Sequence, residues 1–98
     1  MTRTDVLDQA HKCVCGDREQ DYGSPENNFA TIAKMWNAYI NAYLTPVHNI
    51  VLELAPHDVA AMMAQVKLAR VATGHGKADN WIDLAGYAAC GGELESCR

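Results

Sequence analysis

Apolar residues recur at helical spacing along most of the chain. The first predicted helix covers residues 4–19 and begins at Thr4 or Asp5. Its apolar positions lie three or four residues apart, at Val6, Leu7, Ala10, Cys13 and Val14. Because this spacing places them on one face, the segment is predicted to be amphipathic and to pack through that face.

A break at residues 21–26 precedes a second and longer helix. Ser24 is a favourable N-cap and Pro25 suits the first helical position, so we expect the helix to begin there. We expect it to run to about Leu44, since the Thr45-Pro46 step that follows disfavours further helix. Its broad apolar face consists of Phe29, Ile32, Ala33, Trp36, Tyr39, Ile40 and Tyr43.

Two further helices are predicted in the second half of the chain. Residues 46–56 are too apolar for a free loop, so we expect them to pack, with a short helical turn as one form. Pro56-His57-Asp58 opens the third helix, which runs to Thr73, and Asp79 opens the fourth, which runs to Gly91-Gly92. Strand-like alternation is absent. The predicted fold is therefore all-α, with one domain over 1–98 that resembles a four-helix bundle of antiparallel helices.

Composition and charge restrict the possible functions. The 98 residues are 49% hydrophobic and 20% charged, and the net charge is −4. This charge disfavours bulk nucleic-acid binding, which depends on clustered cations, but it leaves a small anionic ligand possible. The four cysteines lack Cys-x-x-Cys spacing and the four histidines lack paired spacing, so neither set predicts a metal site. With no signal peptide or membrane segment visible, we expect a cytoplasmic protein with reduced thiols.

The candidate chemistry lies on the last two predicted helices. Lys67 and Arg70 are three residues apart and share a face, and Asp79 and Asp83 are four apart and share another. Two interpretations stay open. The four groups form a structural ion-pair network, or Lys67 and Arg70 present a cationic fork to a phosphate.

Other candidate ligand-binding residues lie on either side of this cluster. Residues 17–29, which span the break at 21–26, mix carboxylates, amides and an aromatic residue. This composition suits a nucleotide, and Tyr22 and Asn28 are the candidate ligand-binding residues of this segment. The fourth helix adds Asn80, Trp81 and Tyr87 to Asp83.

The motifs Asp-Tyr-Gly-Ser-Pro-Glu-Asn-Asn-Phe, Lys-Leu-Ala-Arg-Val-Ala-Thr-Gly and Asp-Asn-Trp-Ile-Asp-Leu-Ala-Gly-Tyr resemble those of a family of small proteins of tailed phages and prophages. The resemblance covers residues 17–93 and implies a location in the bacterial host cytoplasm. More distantly, the helix with Asp79, Asp83 and Tyr87 resembles the metal-binding helix of all-α, MazG-like nucleoside triphosphate pyrophosphohydrolases. That resemblance implies Mg²⁺ ligation by Asp79 and Asp83. However, the Glu-Glu-x-x-Glu run of those enzymes is missing, and Lys67 and Arg70 occupy the later turns of the third helix instead.

Three function classes follow. The first is a phage protein that captures a nucleotide, or a nucleotide signal of host immunity, between its helices without a cofactor. The second is a Mg²⁺-dependent nucleotide pyrophosphohydrolase that uses Asp79 and Asp83. The third is a protein–protein adaptor that uses the face of Trp36, Tyr39 and Tyr43. Together with Ile40, that face also predicts a homo-oligomer, at least a dimer, because three short partner helices cannot cover it.

Overall fold

Four α-helices form the fold in a computed structural model that describes residues 1–16 and 25–96, apart from the side chains of 25–27. They are α1 (Arg3–Cys15), α2 (Pro25–His48), α3 (Pro56–Ala72) and α4 (Ala78–Ser96). The described part contains no β-strand. The predicted all-α domain of four antiparallel helices is confirmed. None of the described helices is long and apolar enough to cross a bilayer.

Capping groups near the chain start explain the bounds of α1. The N-cap is Thr2, two residues before the predicted start, because its hydroxyl accepts from the Asp5 N–H at 3.1 Å while the Asp5 carboxylate accepts from the Thr2 N–H at 2.9 Å. The helix ends at Cys15 and not near residue 19. A Cβ on the next residue, Gly16, would lie 2.5 Å from the Lys12 carbonyl oxygen, so only glycine fits this close approach.

Two further predicted helix ends, those of α2 and α4, were wrong, and both involve residues that usually interrupt helices. α2 continues through Pro46 to His48. Pro46 lacks the N–H for one helical hydrogen bond, but the ladder resumes beyond it, where the Asn49 N–H donates to the Thr45 carbonyl at 3.0 Å. α4 continues through Gly91-Gly92 to Ser96. The buried side chain of Leu94 anchors this extension, so tertiary packing outweighs the low helix propensity of glycine.

The core lies where α3 and α4 pack along one another, with α1 against the other side of α4. Its buried apolar residues are Ala10, Ala33, Val59, Ala60, Ile82, Cys90 and Leu94. Small residues allow close helix packing here: a Cβ on Gly86 would lie 3.1 Å from Val14 of α1, and one on Gly91 would lie 3.2 Å from Ala60 of α3. α2 packs mainly on α3 and contacts α4 much less.

The connection between α2 and α3 is extended over residues 49–55 and packs along α2 without a helical turn of its own. Asn49 reverses the chain with a φ of 55°, a conformation that asparagine tolerates. The side chain of Asn37 then donates to the Leu54 carbonyl at 3.1 Å and accepts from the Leu54 N–H at 2.8 Å. Asn41 makes the same pair of bonds to Leu52, both at 2.8 Å. The connection packs on α2 as predicted, but through its backbone: its apolar side chains Ile50, Val51 and Leu52 are exposed, and the helical turn considered for it does not occur.

Candidate functional site

The ion pair between Lys67 and Asp83 is the centre of the candidate site. Lys67 Nζ on α3 lies 3.1 Å from Asp83 Oδ2 on α4, and the two side chains are only 17% and 29% exposed. The pair forms because α3 and α4 run antiparallel and each residue lies on the face that its helix turns toward the other. Since neither group is fully solvated, each depends on the other for part of its stabilisation.

An aromatic pair lies next to this ion pair. Tyr87 is four residues after Asp83 and therefore shares its face of α4. Its ring centroid lies 6.2 Å from that of Phe29, near the start of α2, in a tilted arrangement. Asn28, which is exposed, precedes Phe29 on the same helix. The start of α2 thus reaches the same face as the Lys67–Asp83 pair.

Two further charged residues extend the site toward the ends of their helices. Arg70 follows Lys67 by one turn of α3 and is exposed, and Asp79 precedes Asp83 by one turn of α4 and is also exposed. Within the part of the chain that the structure describes, Arg70 forms no salt bridge. Of the two interpretations of these charges, the ion-pair network accounts for Lys67 and Asp83 but not for Arg70.

The structure gives Asn80 and Trp81 different surroundings from those of Lys67. The Asn80 side chain is buried, at 6% exposure, and its amide nitrogen donates to the His75 carbonyl, which fixes the turn between α3 and α4. Trp81 is 48% exposed. Trp81 precedes Asp83 by two positions, which places the two side chains about 160° apart around a helix of 3.6 residues per turn. Trp81 therefore does not share the face of the ion pair. Tyr22 lies outside the described residues.

Metal-binding groups are sparse in this region. No cluster of three or more His, Cys, Asp or Glu side chains occurs among the described residues. Asp79 and Asp83 are the two carboxylates of the predicted metal site, and Asp83 is already engaged by Lys67. A Mg²⁺ ion held by protein carboxylates would have to compete with that ammonium group, so the side chains present fit the ion poorly. No disulfide joins the described cysteines Cys13, Cys15 and Cys90.

Asn37 and Asn41 are polar residues whose structural role the sequence interpretation missed. They lie four apart on α2 within a mostly apolar segment, and that spacing was the available signal. Four helical residues rise about 6 Å and two extended residues about 6.6 Å, so asparagines at i and i+4 can bind alternate residues of one extended segment. They organise the connection to α3 and do not contribute to the face of the ion pair.

Comparison with known proteins shows the relationships of the chain. A family model described as "Domain of unknown function (DUF6378)" matches residues 5–95. The Gene 55 protein of Mycobacterium phage D29 is 35% identical over 86 residues, which cover 87% of this chain and 50% of that protein. The Gene 55 protein of Mycobacterium phage L5 is 36% identical over 83 residues, which cover 85% of this chain and 47% of that protein.

The chain thus spans about half the length of the phage relatives it matches. No solved structure matches it. The expected similarity to phage proteins is confirmed, whereas these matches provide no link to MazG-like hydrolases, and that resemblance stays a prediction. Since the family model covers nearly all of the chain, the protein belongs to the DUF6378 family and is homologous to the Gene 55 proteins of mycobacteriophages.

Proposed function

We propose that this phage-type protein binds a phosphorylated nucleotide on the face formed by α3, α4 and the start of α2. The observation that supports this most directly is the unequal state of two neighbouring cations. Lys67 is half-buried and held by Asp83, whereas Arg70, one turn away on the same helix, is exposed and without an acidic partner among the described residues. A positioned ammonium next to an exposed guanidinium is an arrangement suited to phosphate oxygens.

Each side chain of this face has a specific role in the proposal. Arg70 binds the phosphate through two parallel N–H donors, and Lys67 contributes a second positive charge whose position Asp83 fixes. The Phe29–Tyr87 pair provides an apolar wall on which a base or ribose packs. Asn28 precedes Phe29 on α2 and is exposed at the edge of that wall. Trp81 is excluded from direct stacking because it lies on a different face of α4.

Capture of the nucleotide is favoured over its hydrolysis. Hydrolysis by the predicted route needs Mg²⁺ held by Asp79 and Asp83, but the second of these carboxylates is bound by Lys67. Cations occupy the turns of α3 where the MazG-like enzymes carry acids. In a phage protein, such capture would suit removal of a nucleotide signal used by host immunity.

A thermal-shift screen tests the proposal, since a ligand that binds the folded state raises the melting temperature. The panel contains ribonucleoside and deoxyribonucleoside mono-, di- and triphosphates together with cyclic dinucleotides and trinucleotides, with and without Mg²⁺. We expect at least one member to stabilise the wild type without Mg²⁺, and Arg70→Gln to abolish that shift. Lys34→Gln is the charge-matched control, because Lys34 is an exposed cation on α2 away from the site. No shift with any member contradicts the proposal.

A further inference from the structure

The outer face of α2 carries a row of large apolar side chains in contact with solvent. Met35, Tyr39, Tyr43 and Val47 recur every four residues and are between 58% and 83% exposed, with Tyr39 the most exposed. Residues four apart form one continuous ridge along a helix. The sequence predicted an exposed apolar face on this helix, and its Tyr39 and Tyr43 are indeed exposed, whereas Trp36 and Ile40 are half-buried.

A row of small residues runs beside this ridge. Ala38, Ala42 and Pro46 are also four apart, and all three are exposed. Ala42 lies in a shallow apolar hollow bounded by Tyr39 and Tyr43. One helix face therefore carries both a ridge of large side chains and a groove of matching length. Such a face is complementary to itself, because a two-fold axis brings the ridge of each copy opposite the groove of the other.

The charge of this region restricts what can cover it. No Asp, Glu, Lys or Arg occurs in the eighteen residues 35–52, although 20% of the whole chain is charged. A helix that lies on a membrane surface normally carries Lys and Arg around its apolar face, and a nucleic acid also requires cations. An uncharged face is instead best matched by another uncharged apolar face, and a second copy provides one.

The elongated shape of the protomer and the exposed apolar area of α2 both agree with a second copy covering this face. The radius of gyration is 15.3 Å and the extents are 49 × 31 × 23 Å, so the protomer is more elongated than a compact domain of about 100 residues, for which about 13 Å is typical. Two exposed tyrosines of roughly 150–250 Å² each, with Met35 and Val47, offer on the order of 500 Å². Together with the groove, this approaches the roughly 800 Å² per partner of a stable interface.

We propose that two copies of this chain pair through the outer face of α2, with the two helices antiparallel and crossing near Ala42. Tyr39 and Tyr43 of each copy then lie on either side of the small row of the other. This inference does not depend on the proposed nucleotide site, which involves only the N-terminal end of α2.

Sedimentation equilibrium measures the pairing directly. We expect wild type to be a dimer at micromolar concentration, and the double variant Tyr39→Glu/Tyr43→Glu to raise the dimer dissociation constant by more than about 100-fold, as for central interface residues. Leu7→Glu is the matched control, because Leu7 is a 63% exposed apolar residue on α1, and it should leave the dimer intact. Circular dichroism checks that each variant remains helical.

Cysteine cross-linking tests the antiparallel crossing. In a background with Cys13, Cys15 and Cys97 replaced by serine, Ala42→Cys should form a disulfide-linked dimer on mild oxidation, whereas the background itself and Ala88→Cys, an exposed position on α4, should not. A monomeric wild type overturns the proposal and leaves a different protein as the partner of this face. A dimer that survives the double tyrosine substitution, or a dimer that Ala42→Cys does not link, overturns it equally.

Discussion

Lys67 and Asp83 join α3 to α4 through a 3.1 Å ion pair that is neither fully buried nor fully solvated. Because of this position, the pair has two effects. It stabilises the contact between the two helices, and it fixes the ammonium group beside the exposed guanidinium of Arg70. The same interaction thereby links the stability of the fold to the order of the proposed anion site.

Removing one partner of this pair should destabilise the fold moderately. We expect Lys67→Met and Asp83→Asn each to lower the free energy of unfolding by about 1–2 kcal/mol, between the values for exposed and buried pairs. The double variant should lose less than the sum, with a coupling energy of at least ~0.5 kcal/mol. Urea denaturation of the four proteins measures this cycle. Strict additivity would show that the two groups do not interact.

The asparagine bonds to the extended connection make a local prediction. Asn37→Ala should expose the Leu54 amide to hydrogen exchange, and Asn41→Ala should do the same for the Leu52 amide, because each loses its only side-chain acceptor. Each substitution should also cost about 1–3 kcal/mol, with Asn41 at the lower end because its bonds are exposed. Exchange measured by nuclear magnetic resonance resolves the two amides. If both amides stayed protected in the two variants, the asparagine hydrogen bonds would not be what holds the connection.

Two glycines of α4 form a matched pair of substitutions. A Cβ at Gly92 meets nothing within 4 Å, so Gly92→Ala should stabilise the helix by about 0.5–1 kcal/mol. A Cβ at Gly86 lies 3.1 Å from Val14 Cγ1, so Gly86→Ala should gain little and the larger Gly86→Val should destabilise. Melting temperatures from thermal unfolding compare the three variants with the wild type. Restoration of Gly86→Val by Val14→Ala would identify the contact with α1 as the cause, and an equal gain at both glycines would refute the close packing.

The reciprocal hydrogen bonds between Thr2 and Asp5 at the start of α1 predict that the stability of its first turn depends on pH. The hydrogen bond from the Thr2 backbone, and secondarily the one with its side chain, lowers the pKa of Asp5 below its usual 3.8. Because the folded pKa is depressed, the stabilisation is present above the usual value and is lost as pH falls through the lowered one. The protection factors of the amides in the first turn of α1, which correct for the intrinsic pH dependence of exchange, should fall over that range in wild type. Asp5→Asn should remove this dependence, whereas Asp8→Asn, one turn later, should not.

Helical periodicity was sufficient to predict the four helices, because each buries one face. Local rules were less reliable at the ends. Gly91-Gly92 lie inside α4 because the packing of Leu94 outweighs propensity, and Pro46 lies inside the last turns of α2, where the Asn49 N–H still bonds to the Thr45 carbonyl. Opposite charges on the facing turns of α3 and α4 made the Lys67–Asp83 contact predictable. The roles of Asn37 and Asn41 were not predictable from the sequence. They depend on the extended conformation of the connection, and that conformation is itself fixed by these two side chains.

The central claim is that the protein binds a nucleotide without hydrolysing it. Two parallel measurements with the most stabilising member of the nucleotide panel test it most directly. Isothermal titration calorimetry in EDTA measures binding, and an assay of product release in the presence of Mg²⁺ measures hydrolysis. We expect saturable binding in EDTA that weakens in Arg70→Gln and in Asp83→Asn, because Asp83 positions Lys67. We expect no release of pyrophosphate or phosphate. Pyrophosphate release by the wild type that stops on addition of EDTA would contradict the account, as would the absence of binding in EDTA.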